Sequence, residues 1–258
     1  MRTSLLLTAL IASTLFAAEK PKMNVVLFLI DDLGWKDLGC QGSDYYQTPN
    51  IDRLAAEGTR FTDAYAACAL CSPTRASVMT GKYPARLMLT QWLPAGRWSP
   101  KDNKKREGRF LRELPLEEFT IAETLREAGY TTLHVGKWHL GGPPFSLPAQ
   151  HGFDVNVAGS EHGAPGGYFY PYTGKWKVPT TDSPVVKITL PDGKEGEYLT
   201  DRLTDEAISL IRQNKEDPFF LYFPHYAVHS PLQAKKEMIA RYEAIPEKER
   251  QGQPAYAA

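Results

Sequence analysis

Cysteine is scarce: the 258 residues hold three, Cys40, Cys68 and Cys71. An odd count leaves at least one unpaired, and so few cannot staple a chain this large into a disulfide scaffold. Zinc is poorly served too, because no second cysteine pair or spaced histidine pair completes four ligands. An excess of one charge is also missing, since 30 Lys and Arg balance 30 Asp and Glu. That excludes the basic footprint of a nucleic-acid or membrane-surface binder, while leaving room for a local basic site. The chain has no internal repeat and no low-complexity tract. The apolar run from Leu5 to Phe16 falls short of the ~20 residues that span a bilayer.

That run follows Arg2 and ends in Ala17 and Ala18, the layout of a secretory signal peptide. The polar "EKPK" behind it argues against a buried first helix. Residues 1–18 are therefore expected to be removed, leaving a periplasmic or secreted protein. No cysteine sits just after the run, so no membrane anchor is expected after cleavage.

What is present suits a packed core: 42 % hydrophobic residues and 11 % aromatics. Asn24 to Ile30 is a β-branched apolar run, the pattern of a strand buried on both faces. "TPNIDRLAAEG" reads as a short helix with Ile51, Leu54 and Ala55 on one face and Gly58 as its stop. In "TIAETLREAGY", Thr120 and Glu123 form a capping box, Ile121, Leu125 and Ala128 give apolar spacing, and Gly129 ends the helix. A strand, "YTTLHVG", follows. "LTDRLTDEAISLIRQN" repeats the plan, with Leu203, Ala207, Ile208 and Ile211 lining a helix before the buried strand "PFFLYF". Alternating strands and helices predict an α/β fold: a mixed, mostly parallel sheet with helices on both faces. The stretches Gln91–Arg109 and Gly141–Asp192 are long for connections and read as loops around a site.

Ligands in open α/β sheets bind outside the carboxyl ends of the strands. Those ends deliver Asp31 and Asp32, then Lys137 and His139 in "HVGKWHLG", then His225 and His229 in "FPHYAVHSP". Together they suggest a metal site facing an anion. Each has a plainer reading: turn or cap chemistry for the aspartates, a solvated edge pair for Lys137 and His139, a hydrogen-bonded structural role for His229. His225 is read as structural.

"CALCSPTRASVMTG" leaves three readings of its cysteines open: a CxxC redox or metal pair, a structural disulfide, or a cysteine that becomes something else. "CSPTRASVMTG", with "NVVLFLIDDLGW", "GYTTLHVGKWHLG", "HGFD" and "YAVHSPLQ", resembles the type I sulfatases of the alkaline-phosphatase-like superfamily. Their signature is C-x-P-[S/T]-R, a short spacer and T-G; Cys71, Pro73, Arg75, Thr80 and Gly81 fit it, with Thr74 where serine is commoner. The resemblance implies that Cys71 is oxidised by a maturation enzyme to formylglycine, whose hydrate attacks the sulfur of a sulfate ester with one hydroxyl. The second hydroxyl then expels sulfate. Cys68 becomes a buried small hydrophobe rather than a partner.

By the same resemblance Arg75 holds the diol and neighbouring carboxylates, Lys137 and His229 bind the sulfate and help the leaving group, and His139 assists elimination. Asp31, Asp32 and residue 71 ligate Ca²⁺ or Mg²⁺. The substrate would be a sulfated small molecule or glycan, on an aryl or carbohydrate sulfate ester. The rivals are a phosphonate or phosphodiester hydrolase of the same superfamily and a non-catalytic secreted binding protein. Family members run on into an Asp-Asn pair that completes the metal shell, a later lysine and a small C-terminal domain. Residues 24–258 are therefore expected to be the N-terminal part of a sulfatase catalytic domain, truncated before its C-terminal part and inactive by itself.

Overall fold

The computed structural model describes residues 22–93, 108–175, 185–188 and 190–258. The expected signal peptide and part of the Gln91–Arg109 stretch lie outside them. Among the described residues no helix is long and apolar enough to cross a membrane.

Strands β1 (Val25–Leu29), β2 (Thr131–Val135), β3 (Val155–Val157) and β6 (Phe219–Pro224) form one sheet in the order β1-β6-β2-β3. Every pairing in it is parallel, with Leu29 opposite Pro224 and His134 opposite Tyr222. Antiparallel pairing occurs in a separate ribbon of β4 (Thr173–Lys175) and β5 (Val185–Lys187) and in an isolated bridge between Phe169 and Tyr198. Helices cover both faces, as the alternation of the strands requires. On one face Leu133, Val135, Phe219, Leu221 and Phe223 pack against Leu199, Leu203 and Ala207 of α5 (Leu199–Gln213). On the other, Phe220 and Tyr222 meet Ala76 and Met79 of α2 (Cys71–Thr80) and Ala122 of α4 (Ile121–Glu127). Strand β6 is buried along its whole length because both faces and both edges are occupied.

Several expectations change in detail. Strand β1 is not buried on both faces: Val25, Val26 and Phe28 are 37 %, 40 % and 55 % exposed. Among the described residues it is an edge strand, paired with β6 alone, and hydropathy alone cannot tell an edge from a centre. Helix α1 (Pro49–Glu57) forms and Gly58 follows it, yet Ile51 and Leu54 are exposed. In α4 the buried residue is Ala122, not Ile121, and in α5 Ile208 points outward. The Gly141–Asp192 stretch is not all loop, since it holds β3 and the described part of the β4–β5 ribbon begins there. Strands of three residues are too short to show a period.

The Thr120–Glu123 capping box is present: Thr120 Oγ1 accepts from Glu123 N at 3.1 Å, and Glu123 Oε2 accepts from Thr120 N at 2.8 Å. Thr120 Oγ1 also donates to the buried His151 carbonyl at 2.9 Å. Thr120→Ala removes both roles at once. It should cost about 1–2 kcal/mol in denaturant unfolding, and a loss near zero would show the cap to be dispensable.

Candidate active site

The order β1-β6-β2 sets the carboxyl ends of these three strands side by side, and the loops leaving them build the site. After β1 the chain is latched to the loop after β6: Asp31 N donates to Ala227 O at 3.2 Å, and Val228 N to Asp31 O at 2.9 Å. Asp32 then turns through a left-handed conformation, φ 58°. This splits the pair, leaving the Asp31 carboxylate buried and the Asp32 carboxylate exposed.

Cys71 is the first residue of α2. The preceding Leu70 is extended and offers no side-chain cap, so the leading amides are not closed off by a side chain. Pro73 lies in the first turn, where a missing N–H costs nothing. Gly81 stops the helix at φ 67°, its N–H on Ser77 O, which gives the closing T-G of the signature a structural purpose. All three cysteines are free thiols, so neither the CxxC bridge nor a disulfide is formed. Cys68 is half-buried rather than buried; its carbonyl accepts from Thr74 Oγ1 at 2.6 Å, tying it to the start of α2.

From the start of the second turn of α2 the Arg75 side chain folds back. One guanidinium nitrogen donates to Lys137 O at 2.8 Å, and the other stands 3.3 Å from Asp31 Oδ1. The Lys137 ammonium binds the second carboxylate oxygen, Asp31 Oδ2. Arg75 is 1 % exposed and Lys137 fully buried. Two buried cations thus share one buried carboxylate, leaving this cluster with a net positive charge. Burial pushes the Asp31 carboxyl upward, but Lys137 and Arg75 outweigh it and hold the group below its usual range. Burial and Arg75 push the Lys137 ammonium down against the pull of Asp31, and Cys71 is close enough to act on it as well.

His139 faces the same cluster. Burial and then Lys137 depress its pKa well below the ordinary value, so the ring is neutral at neutral pH. Its Nε2 meets the Leu93 carbonyl, which can only accept, so the proton sits on Nε2. Nδ1 has no hydrogen-bond partner among the described residues. The result is a neutral imidazole with an uncommitted acceptor nitrogen. Lys137 and His139 are not a solvated edge pair: both are buried, and the backbone bends through them, with φ 122° at Gly136 and φ 59° at His139. His229 stands at the outer side, with Nε2 3.7 Å from Asp32 Oδ2. Its Nδ1 donates to Ser230 O at 2.8 Å, and Tyr168 Oη donates to the His229 carbonyl at 2.8 Å. His225 stays outside, its ring 4.2 Å from Phe223 and pushed down to about 4 by burial.

The structure therefore brings Asp31, Arg75, Lys137 and His139 together, with Cys71 at the head of α2 beside them and the Asp32–His229 pair at the rim. For a divalent cation, the aspartates offer the right hard oxygens. Yet among the described residues no group of three or more His, Cys, Asp or Glu is placed to hold a metal ion. Asp31, Asp32 and Cys71 are at most part of a shell. Sequence reasoning missed Gly163, Leu93 and Tyr168. A Cβ on Gly163 would stand 2.3 Å from the His139 ring, and neither this contact nor a backbone carbonyl leaves a trace in a motif.

A profile of the family described as Sulfatase matches residues 23–257. The chain belongs to the sulfatase family. An N-acetylgalactosamine-6-sulfatase of Rattus norvegicus is 37 % identical over 250 residues, covering 91 % of this chain and 45 % of that protein. The crystal structure of Ps i-CgsB in complex with k-i-k-neocarrahexaose superposes with a TM-score of 0.69 at 36 % identity, over 92 % of this sulfatase chain and 51 % of that one. BT4656, solved in complex with its substrate D-glucosamine-2-N,6-O-disulfate, matches with a TM-score of 0.61 at 27 % identity, over 86 % and 38 %. The chain spans about half the length of the relatives it matches or less. The parallel sheet with helices on both faces is the sulfatase fold.

Proposed function

We propose that residues 24–258 are the N-terminal part of the catalytic domain of an exported sulfuric ester hydrolase, acting on an aryl or carbohydrate sulfate through formylglycine made from Cys71. The observation that carries this is the placement of Cys71: it opens α2 beside two buried cations, Arg75 and Lys137, that share the single buried carboxylate of Asp31. A helix N-terminus and a net positive pocket both favour a doubly polar anion such as a sulfate ester. The rat relative is named for a sulfated sugar, and BT4656 was solved with one as substrate, which supports a sulfated glycan here.

Formylglycine would supply an aldehyde whose hydrate is the nucleophile, and Ca²⁺ or Mg²⁺ on Asp31, Asp32 and residue 71 would polarise the sulfate. The residues on hand do the rest. Lys137 and the first amides of α2 attract and orient the anion, while Arg75 holds the Asp31 carboxylate in place against the Lys137 backbone. His139, neutral and with no partner on Nδ1 among the described residues, would take a proton at Nδ1. His229 donates its Nδ1–H to Ser230 O and leaves Nε2 at the rim, where the ring protonated on both nitrogens would give its Nε2 proton to the leaving oxygen.

The test uses the full gene product, co-expressed with a formylglycine-generating enzyme. Mass spectrometry of the peptide bearing residue 71 should show the aldehyde, and sulfate should be released from an aryl sulfate or sulfated glycans in preference to an aryl phosphodiester hydrolysed. Preference for the phosphodiester would move the protein to the phosphonate and phosphodiester hydrolases. An unmodified thiol with no turnover would make it a binding protein.

A further inference from the structure

Lys137 and His139 flank Trp138, and the contacts of the site itself, Arg75 on Lys137 O and His139 Nε2 on Leu93 O, hold the two flanking residues but give the tryptophan between them no role. Gly136 at φ 122° and His139 at φ 59° both adopt the left-handed region, which is uncomfortable for the histidine. Backbone bonds anchor its ends, from Lys137 N to Pro224 O at 2.8 Å and His139 N to Ser160 O at 3.0 Å. Between them Trp138 turns away from the site into the core and is fully buried. Its indole N–H donates to Ser146 O at 2.8 Å.

Ser146 is itself clamped. Its hydroxyl lies 3.1 Å from Leu114 O, 3.2 Å from Leu140 O and 3.1 Å from His151 Nε2. A hydroxyl has one proton, and carbonyls can only accept. With that proton on a carbonyl, His151 Nε2 is the donor to Ser146, which selects the Nε2–H tautomer. The His151 ring lies 5.5 Å from the Trp138 ring, and the His134 and Phe153 rings meet the indole edge-on at 5.7 and 6.1 Å. His151 is fully buried, and burial lowers its pKa although Glu123 opposes this; a neutral ring is what the clamp needs.

We propose that Trp138 is a positioning residue of the site: its indole N–H, held on the Ser146 carbonyl and braced by His151, fixes the bend that presents Lys137 and His139 on the opposite side. This rests on the sulfatase reading for its catalytic consequence, but not for the geometry. Losing the indole N–H strands a buried carbonyl and frees the bend to open.

The experiment compares Trp138→Phe with Leu203→Ala, which unpacks the opposite face of the sheet and touches none of these groups. In the full-length protein, acetic anhydride labelling of Lys137, followed by mass spectrometry, reads opening of the bend. Trp138→Phe should speed labelling about tenfold, as expected for an unsatisfied buried carbonyl. Leu203→Ala should leave it within about twofold despite a comparable or larger loss of global stability. In the formylglycine-bearing enzyme, Trp138→Phe should lower kcat about tenfold with KM within about twofold, and Leu203→Ala should change neither. Equal labelling in the two variants, or an active wild type whose kcat is untouched by Trp138→Phe, overturns the proposal. A wild type that releases no sulfate while the labelling contrast persists overturns the sulfatase reading and leaves the positioning role standing. Should Trp138→Phe not fold, Ser146→Ala, which removes the hydroxyl clamp and keeps the carbonyl, is read in the same two ways.

Discussion

Cys71→Ala is expected to abolish sulfate release while the protein stays folded. Loss of a nucleophile that acts as one unit with its neighbours lowers kcat by about 10⁴–10⁶-fold. Alanine has no sulfur to oxidise and no oxygen to attack with, so little turnover should persist even with Arg75, Lys137 and His139 intact. Stability should change by about 1 kcal/mol or less. Cys71 is half-buried at the first position of α2, and alanine is the better helix former. Cys71→Ser sharpens the test. A serine hydroxyl can take the sulfuryl group and release the alcohol, but it lacks the second hydroxyl that would expel sulfate. Mass spectrometry should find residue 71 carrying one SO₃ group after incubation with substrate, at most one equivalent. Turnover of Cys71→Ala near the wild-type rate would end the formylglycine mechanism.

The second large effect is on stability. Asp31→Asn removes the carboxylate that Arg75 and Lys137 share, their side chains being 1 % and 0 % exposed. Breaking a buried ion pair from one side typically costs about 3–5 kcal/mol, because the other charge is left uncompensated. Here two charges of like sign would be left, so the upper part of that range is expected in urea unfolding. The pH dependence follows from the lowered pKa of Asp31. A carboxyl depressed in the folded state contributes stability above its unfolded value of 3.8, and that contribution is lost as pH falls through the lower folded value. Asp31→Asn should therefore narrow its gap from the wild type as pH drops below about 4. A cost under about 1 kcal/mol at neutral pH would mean that water reaches the cations and the pair is not buried in solution.

Much of the site was legible because its chemistry follows strand ends. Asp31, Lys137 and His229 each stand just past a run whose β-branched or apolar character marks a strand, and Cys71 with Pro73 and Arg75 marks a helix start. Placing these groups near one rim needed only the rule that parallel strands present their carboxyl ends together. The pairing inside that rim was not legible. Nothing in "DD" says that Asp31 is buried against two cations while Asp32 faces solvent, since a left-handed φ at Asp32 does this. Nor does "KWH" reveal that Trp138 leaves the site for a clamp made by Ser146 and His151, residues that the sequence presents as loop.

By itself the sequence determined the elements with strong local causes: the capped helix at Thr120, the buried strand Phe219–Pro224, the stop at Gly58, and the charged residue types that stand at the strand ends. These depend on propensity, on the periods of helix and strand and on a few hydrogen bonds between near neighbours, all of which act within a handful of residues. The tertiary structure decided which strand lies at the edge, which apolar faces find a partner, and how Asp31 is shared between Arg75 and Lys137. Those outcomes depend on groups separated by 44 to 106 positions, and their energies come from desolvation and charge, which exist only once the chain has closed around them.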